Sequence, residues 1–161
     1  MVESESVAAM WAAFVNACPN LVDGRTTYSA WHFCDNESDA NELAELVLAG
    51  TKRATAGLLW SYQEEDEPLP SVGDLNAITD WEGRACCVIR TTSVEVVPFD
   101  AVTPAFAVTE GEGDGSLEYW RKVHEAAFAR ELADSGRAFD SSLPVVCERF
   151  EVVFGHASSK R

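Results

Sequence analysis

Lys52 follows Gly50 by two residues and precedes Thr55 by three in the stretch LAGTKRATAGLLW, residues 48–60. An amine and a hydroxyl at that spacing can serve as base and nucleophile. The hydroxyl attacks a carbonyl and the amine, tuned by burial or by a neighbouring cation such as Arg53, takes up its proton. The two cations also have a plain structural reading, because positive side chains at the end of a helix complement its macrodipole. On a regular strand residues 52 and 55 would point to opposite sides, whereas Arg53 and Thr55 would share one. Pairing Lys52 with Thr55 therefore needs a turn before the strand begins, and Gly50 can supply it.

A second concentration of reactive residues is TEGEGDGSLEYW, residues 109–120. Glu110, Glu112 and Asp114, with Gly115, imitate the first half of a calcium loop, but Arg121 occupies the position of the closing bidentate carboxylate. A calcium hand is excluded. Two readings remain: a solvated turn whose acids open the next helix, or a glycine-flexed arm that lowers Glu110 or Glu112 into a pocket. His124 falls on the apolar face of that next helix and is read as a core or rim histidine. Trp31, Trp60, Tyr62, Trp81 and Trp120 can stack on a base or fill the core. The chain holds no G-x-S-x-G, no P-loop and no dinucleotide-binding glycine fingerprint. The run Glu64 to Glu67 is read as a solvated loop.

The elements that must position these residues follow from periodicity. Val7, Met10, Trp11, Phe14 and Cys18 recur with helical spacing after Ser4 or Ser6 and before Pro19. TYSAWHF (27–33) reads as a strand. A helix runs from a cap at Asn36 or Ser38 to the terminator Gly50. ATAGLLWSY (54–62) reads as a buried strand, and LNAITDW and ACCVIRTTSVEVVPF as a hairpin turning at Glu82 and Gly83. Ser116 caps a long helix ending at Gly136, with Leu117, Trp120, Val123, His124, Ala127 and Phe128 inward. VVCERFEVVF (145–154) alternates as a closing strand. These elements predict an α+β domain built on a curved or barrel-like antiparallel sheet. A doubly wound parallel sheet fits poorly, because the central strands lack crossover helices.

Composition limits what such a domain can bind. With 161 residues the chain suits one domain, expected over 1–154 with a loose tail at 155–161. Its formal net charge of −15 argues against a broad basic face for duplex DNA or an anionic membrane. Five cysteines without a C-x-x-C pair suit reduced thiols in the cytoplasm, Cys86 and Cys87 being read as small core residues. The acidic N-terminus fits neither a secretory signal nor a transit peptide. No apolar run approaches the ~20 residues of a membrane span.

The ordered set ELAELVLAGTKRATAGLLW, LPSVGD, CCVIRTTSVEVVPFDAVTPAFAVTEGEGDGSLEYWRKVH and LPVVCERFEVVF resembles the ASCH domain family, and within it the bacterial branch long labelled a domain of unknown function. The most specific elements are G-x-K-x-x-T at Gly50, Lys52 and Thr55, and the EGEGDGSLEYW block. The resemblance implies a PUA-like fold, a small, partly open antiparallel β-barrel with flanking helices, and a nucleoside, nucleotide or RNA ligand. It further implies an amidohydrolase acting on an acylated nucleoside such as N4-acetylcytidine, through Lys52, Thr55 and Glu110. Arg53, Glu112 and Trp60 would contact the substrate, and no metal or organic cofactor would be required. Other members are described as RNA-binding or RNA-cleaving, so a binding module or a ribonuclease acting on single-stranded RNA is the alternative. An acidic chain suits a nucleoside-sized ligand better than a long RNA.

Overall fold

The first helix, α1 (Glu5–Ala17), begins where the Ser4 hydroxyl accepts the Val7 N–H and ends where the Cys18 N–H returns to the Phe14 carbonyl. This computed structural model describes residues 4–155; of the tail expected over 155–161, Gly155 ends the last strand and the rest lies outside the described residues. Strand β1 (Ser29–Trp31) leads into α2 (Glu37–Leu48), capped by Asn36 on the Asp39 N–H. Then follow β2 (Ala54–Leu58), α3 (Leu59–Glu64), β3 (Leu75–Thr79) and the long β4 (Ala85–Pro98). The chain closes with α4 (Pro104–Glu110), α5 (Leu117–Ala133) and β5 (Pro144–Gly155).

The five strands form one mixed sheet in the order β1-β3-β4-β5-β2, curved into a half-barrel with flanking helices. All neighbouring pairs are antiparallel except β1 with β3, which run parallel at one edge. Alternation along β3 shows how the sheet is covered. Leu75 and Ala77 pack with Val7, Met10 and Phe14 of α1 on one face. Ile78 packs on the other with Leu43, Ala44 and Val47 of α2, joined by Cys87, Ile89 and Phe150. A third cluster buries Ala54, Leu58, Val145 and Cys147 of β2 and β5 beneath Phe106, Trp120, Phe128 and Leu132 of α4 and α5.

Three expectations change. The strand expected over 54–62 stops at Leu58, whose ladder partner Val145 lies one residue from the start of β5, so beyond it β2 has nothing to pair with. The chain turns into α3 instead. The segment 104–110, for which no helix is expected, is the helix α4: Thr103 caps the Phe106 N–H, Pro104 sits in the first turn and left-handed Gly111 ends it. Val123 is exposed rather than inward, while Trp120, His124, Phe128 and Leu132 form the buried stripe of α5. Among the described residues no helix is long and apolar enough to cross a membrane.

Candidate functional site

The turn that ends α2 delivers Lys52. Gly50 adopts φ 83°, and the N–H groups of Thr51 and Lys52 both return to the Leu46 carbonyl at 2.9 and 3.1 Å. This closes the helix on its last carbonyls. The backbone of Arg53 is then held on both sides: its N–H donates to the Thr109 carbonyl at 2.8 Å, and its carbonyl accepts the Phe150 N–H at 3.0 Å. The end of α4 is thereby fastened beside Lys52. Gly111, the next residue after α4, has φ 71°, and a Cβ there would stand 2.1 Å from the Thr51 carbonyl oxygen. At Gly113, with φ 60°, an added Cβ would stand 2.3 Å from the Tyr119 ring. The backbone contact leaves room for glycine alone at 111, the left-handed φ favours glycine at 113, and together they fold the EGEGDG segment back over residues 51 and 52.

Lys52 is 1% exposed, yet its ammonium has three acceptors. It donates to Glu112 Oε2 at 2.6 Å, to the Ala54 carbonyl at 2.8 Å and to Glu110 Oε2 at 3.3 Å. The Phe33 ring covers it, with 5.1 Å from Nζ to the ring centroid. Glu110, 2% exposed, accepts the Trp120 indole N–H on Oε1 at 2.6 Å and meets His124 Nε2 with Oε2 at 3.2 Å. His124 Nδ1 faces the Trp120 carbonyl at 2.9 Å. Both imidazole nitrogens thus face oxygens, an arrangement the doubly protonated ring satisfies with two N–H donors. Two cations and two carboxylates form one nearly enclosed cluster.

Burial opposes the charge on Glu110, but the Lys52 charge and the hydrogen bonds from His124 and Trp120 outweigh it and hold the carboxyl well below its usual range. For His124 burial also opposes the charge, and the bond and charge of Glu110 overcome it and raise the imidazole. The signs give a testable pH profile. The stabilisation from Glu110 is present above its ordinary value of 4.5 and is lost as pH falls through its lowered folded value. That from His124 is present below 6.5 and is lost as pH rises through its raised folded value. Urea midpoints measured across pH should be highest between those two ordinary values, and His124→Gln should flatten the alkaline limb.

Two open spaces flank this cluster. One is a groove of about 900 Å³ between the Cys34 segment and α5, lined by Glu112, Asp39, Glu42 and Arg130 among others. The other, a cleft of about 650 Å³ inside the half-barrel, is lined by Thr55 and Gly57 of β2, Trp31 of β1, Asn76 of β3, and Glu148 of β5. Glu148 is the ladder partner of Thr55 and accepts the Thr91 hydroxyl on Oε2 at 2.6 Å. Its burial raises the carboxyl, an effect that the Thr91 bond offsets and the charge of Asp74 reinforces. The Tyr62 hydroxyl, in the same cleft, is pushed up to about 12 by burial and by the charges of Glu148, Glu67 and Glu131.

The structure brings Lys52, Glu110 and Glu112 together and leaves the other expected site residues apart. Thr55 lines the interior cleft, while the ammonium of Lys52 turns toward α4. The two still adjoin, because the Ala54 carbonyl bound by Lys52 belongs to the peptide that leads into Thr55. Glu110, expected at the reacting centre, is instead enclosed and committed to Trp120, His124 and Lys52; Glu112, 19% exposed, is the carboxylate that reaches open space. Trp60, expected at the substrate, packs against the core beneath α4 and α5 under the Arg137 guanidinium. Arg53 is exposed, and its backbone rather than its side chain organises the site. The sequence reading missed Glu148, Thr91 and Asn76; alternation in VVCERFEVVF does put Glu148 on the face opposite Cys147, but nothing local marks that face as a cleft. Among the described residues no group of three or more His, Cys, Asp or Glu side chains is placed to hold a metal ion.

With this geometry in place, the likeness to known proteins is specific. The model of the ASCH domain matches residues 29–154. The structure of an ASCH domain from Lactobacillus crispatus is 34% identical, superposes with a TM-score of 0.86, and the match covers 94% of this chain and 96% of that one. A protein of Enterococcus faecalis, assigned to the family DUF984, is 32% identical with a TM-score of 0.83, covering 98% of this chain and 96% of its own. No curated protein matches the sequence.

Proposed function

Since this chain belongs to the ASCH domain family, we propose that it hydrolyses the acyl amide of a nucleoside-sized substrate held in the interior cleft. The observation that carries this reading is the Lys52–Glu112 pair, 2.6 Å apart, with the ammonium against the peptide that precedes Thr55. A buried lysine in direct contact with a partly open carboxylate, beside a hydroxyl that lines a cavity, supplies the groups that acyl transfer needs.

In the proposed reaction Lys52 passes a proton to Glu112, and its free amine turns from the Ala54 carbonyl to the Thr55 hydroxyl. Thr55 Oγ1 bonds to the amide carbon while its proton moves to Lys52. The C–N bond then breaks, and Lys52 returns that proton to the departing amine. Water hydrolyses the acyl-threonine, its proton passing by the same route, and releases the acid. Glu110 touches no substrate here; with His124 and Trp120 it fixes the position of Lys52. Free thiols at Cys18, Cys34, Cys86, Cys87 and Cys147 suit work in a reducing cytoplasm.

A second reading, ligand binding without turnover, is favoured by the enclosure of Lys52 beneath Phe33. Chromatographic assay against N4-acetylcytidine and a panel of other acylated nucleosides separates the two. Hydrolysis by the native chain, reduced about 10²–10⁴-fold in Glu112→Gln and in Thr55→Val, is the expected result. Absence of turnover across the panel overturns the hydrolase and leaves the binding module.

A further inference from the structure

We propose that Glu148 and Asn76 are the specificity-determining residues of the interior cleft, which takes a planar heterocycle presenting an amino donor beside a ring acceptor and bearing no phosphate. The inference rests on the preceding choice of this cleft as the substrate site, but concerns recognition rather than turnover.

Glu148 is a buried carboxylate, 6% exposed, whose side chain is fixed by the Thr91 hydroxyl on one oxygen. Among the described residues its other oxygen has no protein donor, and Glu148 lines the cleft, so that oxygen can accept an N–H from a ligand there. Asn76 is fixed in the same way. The Trp31 indole N–H donates to Asn76 Oδ1 at 2.9 Å, which assigns the amide orientation and leaves its NH₂ free to donate into the cleft. One acceptor and one donor, each locked by a partner of its own, read a ligand edge of the opposite pattern. Cytosine and adenine carry that edge, an amino group next to a ring nitrogen; uracil carries its reverse.

The walls supply the rest. The rings of Trp31 and Tyr62 give apolar surface to a flat ligand. Among the described residues Glu67, Asp74 and Glu148 line the cleft and no lysine or arginine does, so a phosphate would be drawn from water into a field of its own sign. Because Glu148 and Thr55 are direct ladder partners, their Cβ atoms lie about 4.5–5.5 Å apart. An amine read by Glu148 therefore holds its substituent beside the Thr55 hydroxyl.

Isothermal titration calorimetry with cytidine, uridine and cytidine 5′-monophosphate tests the proposal, since none of these carries an acyl group and binding is measured apart from hydrolysis. Native protein should bind cytidine at least about tenfold tighter than uridine and than the monophosphate, the order expected from unpaired polar groups in a desolvated site. Glu148→Gln keeps the shape and an acceptor for Thr91, and should erase the preference for cytidine over uridine. Asn76→Asp, which replaces the donor, should do the same, and thermal unfolding of each variant verifies that it is folded. Binding of the monophosphate as tight as cytidine, an unchanged preference in folded Glu148→Gln, or no binding of any probe would overturn the proposal. Selective cytidine binding without turnover of acylated nucleosides would sink the hydrolase and leave this inference standing.

Discussion

Replacing Lys52 with methionine is expected to destabilise the protein by about 3–5 kcal/mol, the cost of breaking a buried ion pair by removing one partner. Methionine matches the lysine stem in length and adapts to the space beneath Phe33, so the loss reports on charge more than on packing. What remains is Glu110, 2% exposed, with only His124 and the Trp120 indole to balance it, and Glu112 deprived of its closest partner. Adding Glu110→Gln to Lys52→Met should recover part of the loss, because an amide in that place carries no charge to be compensated. Urea unfolding of the two single variants and the double variant gives the coupling directly. A Lys52→Met protein within about 1 kcal/mol of native would show that the cluster does not hold the fold together.

The second large effect is expected from Gly111→Ala. The left-handed backbone costs a residue with a Cβ about 1–2 kcal/mol, and overpacking adds typically about 1–3 kcal/mol more. Here the overpacking is against the Thr51 carbonyl, 2.1 Å from the added atom, so no side chain can swing away to relieve it. The strain has one outlet, displacement of the 111–113 segment from residues 51 and 52, which carries Glu112 away from Lys52. Gly111→Ala should therefore lose both stability and whatever activity the native chain has. Gly115→Ala makes the control: it also has positive φ, at 78°, but its Cβ would enter open space. Equal effects at the two glycines would mean that backbone conformation alone, not the close approach, decides the outcome.

The contrast between these residues shows what a linear sequence reveals. Helix ends were legible, because Ser4, Asn36, Ser116 and Gly50 act within their own turn. The curved sheet was legible from strand spacing, and Lys52 with Glu110 and Glu112 from residue type and the family resemblance. Which of the two glutamates is enclosed was not, since it depends on Trp120 and His124 reaching across from α5 to Glu110. Nor could the sequence show on which side of β2 Thr55 would emerge relative to the ammonium of Lys52, because that depends on the Arg53 backbone being held between Thr109 and Phe150. Glu148 and Asn76 look ordinary in their strands and gain meaning from a void that five strands make together. α4 was the avoidable omission, for Thr103, Pro104 and Gly111 announce it with local signals over a span of only seven residues.

The sheet order places β1 and β2 at its two ends, and both edges line the same cleft. The half-barrel is in this sense a ring with one stave missing, and the space where the stave would stand is the cleft proposed to hold the ligand. An occupant touching Trp31 on one side and Thr55 on the other would act as a clasp, linking strands that are neighbours only through three others. Recognition and closure of the barrel would then become a single event. The two end strands of the sheet would be drawn together by a molecule bound between them. Amide hydrogens of residues 29–31 and 54–58 would exchange more slowly in the occupied state, while those of the central β4 would be little altered.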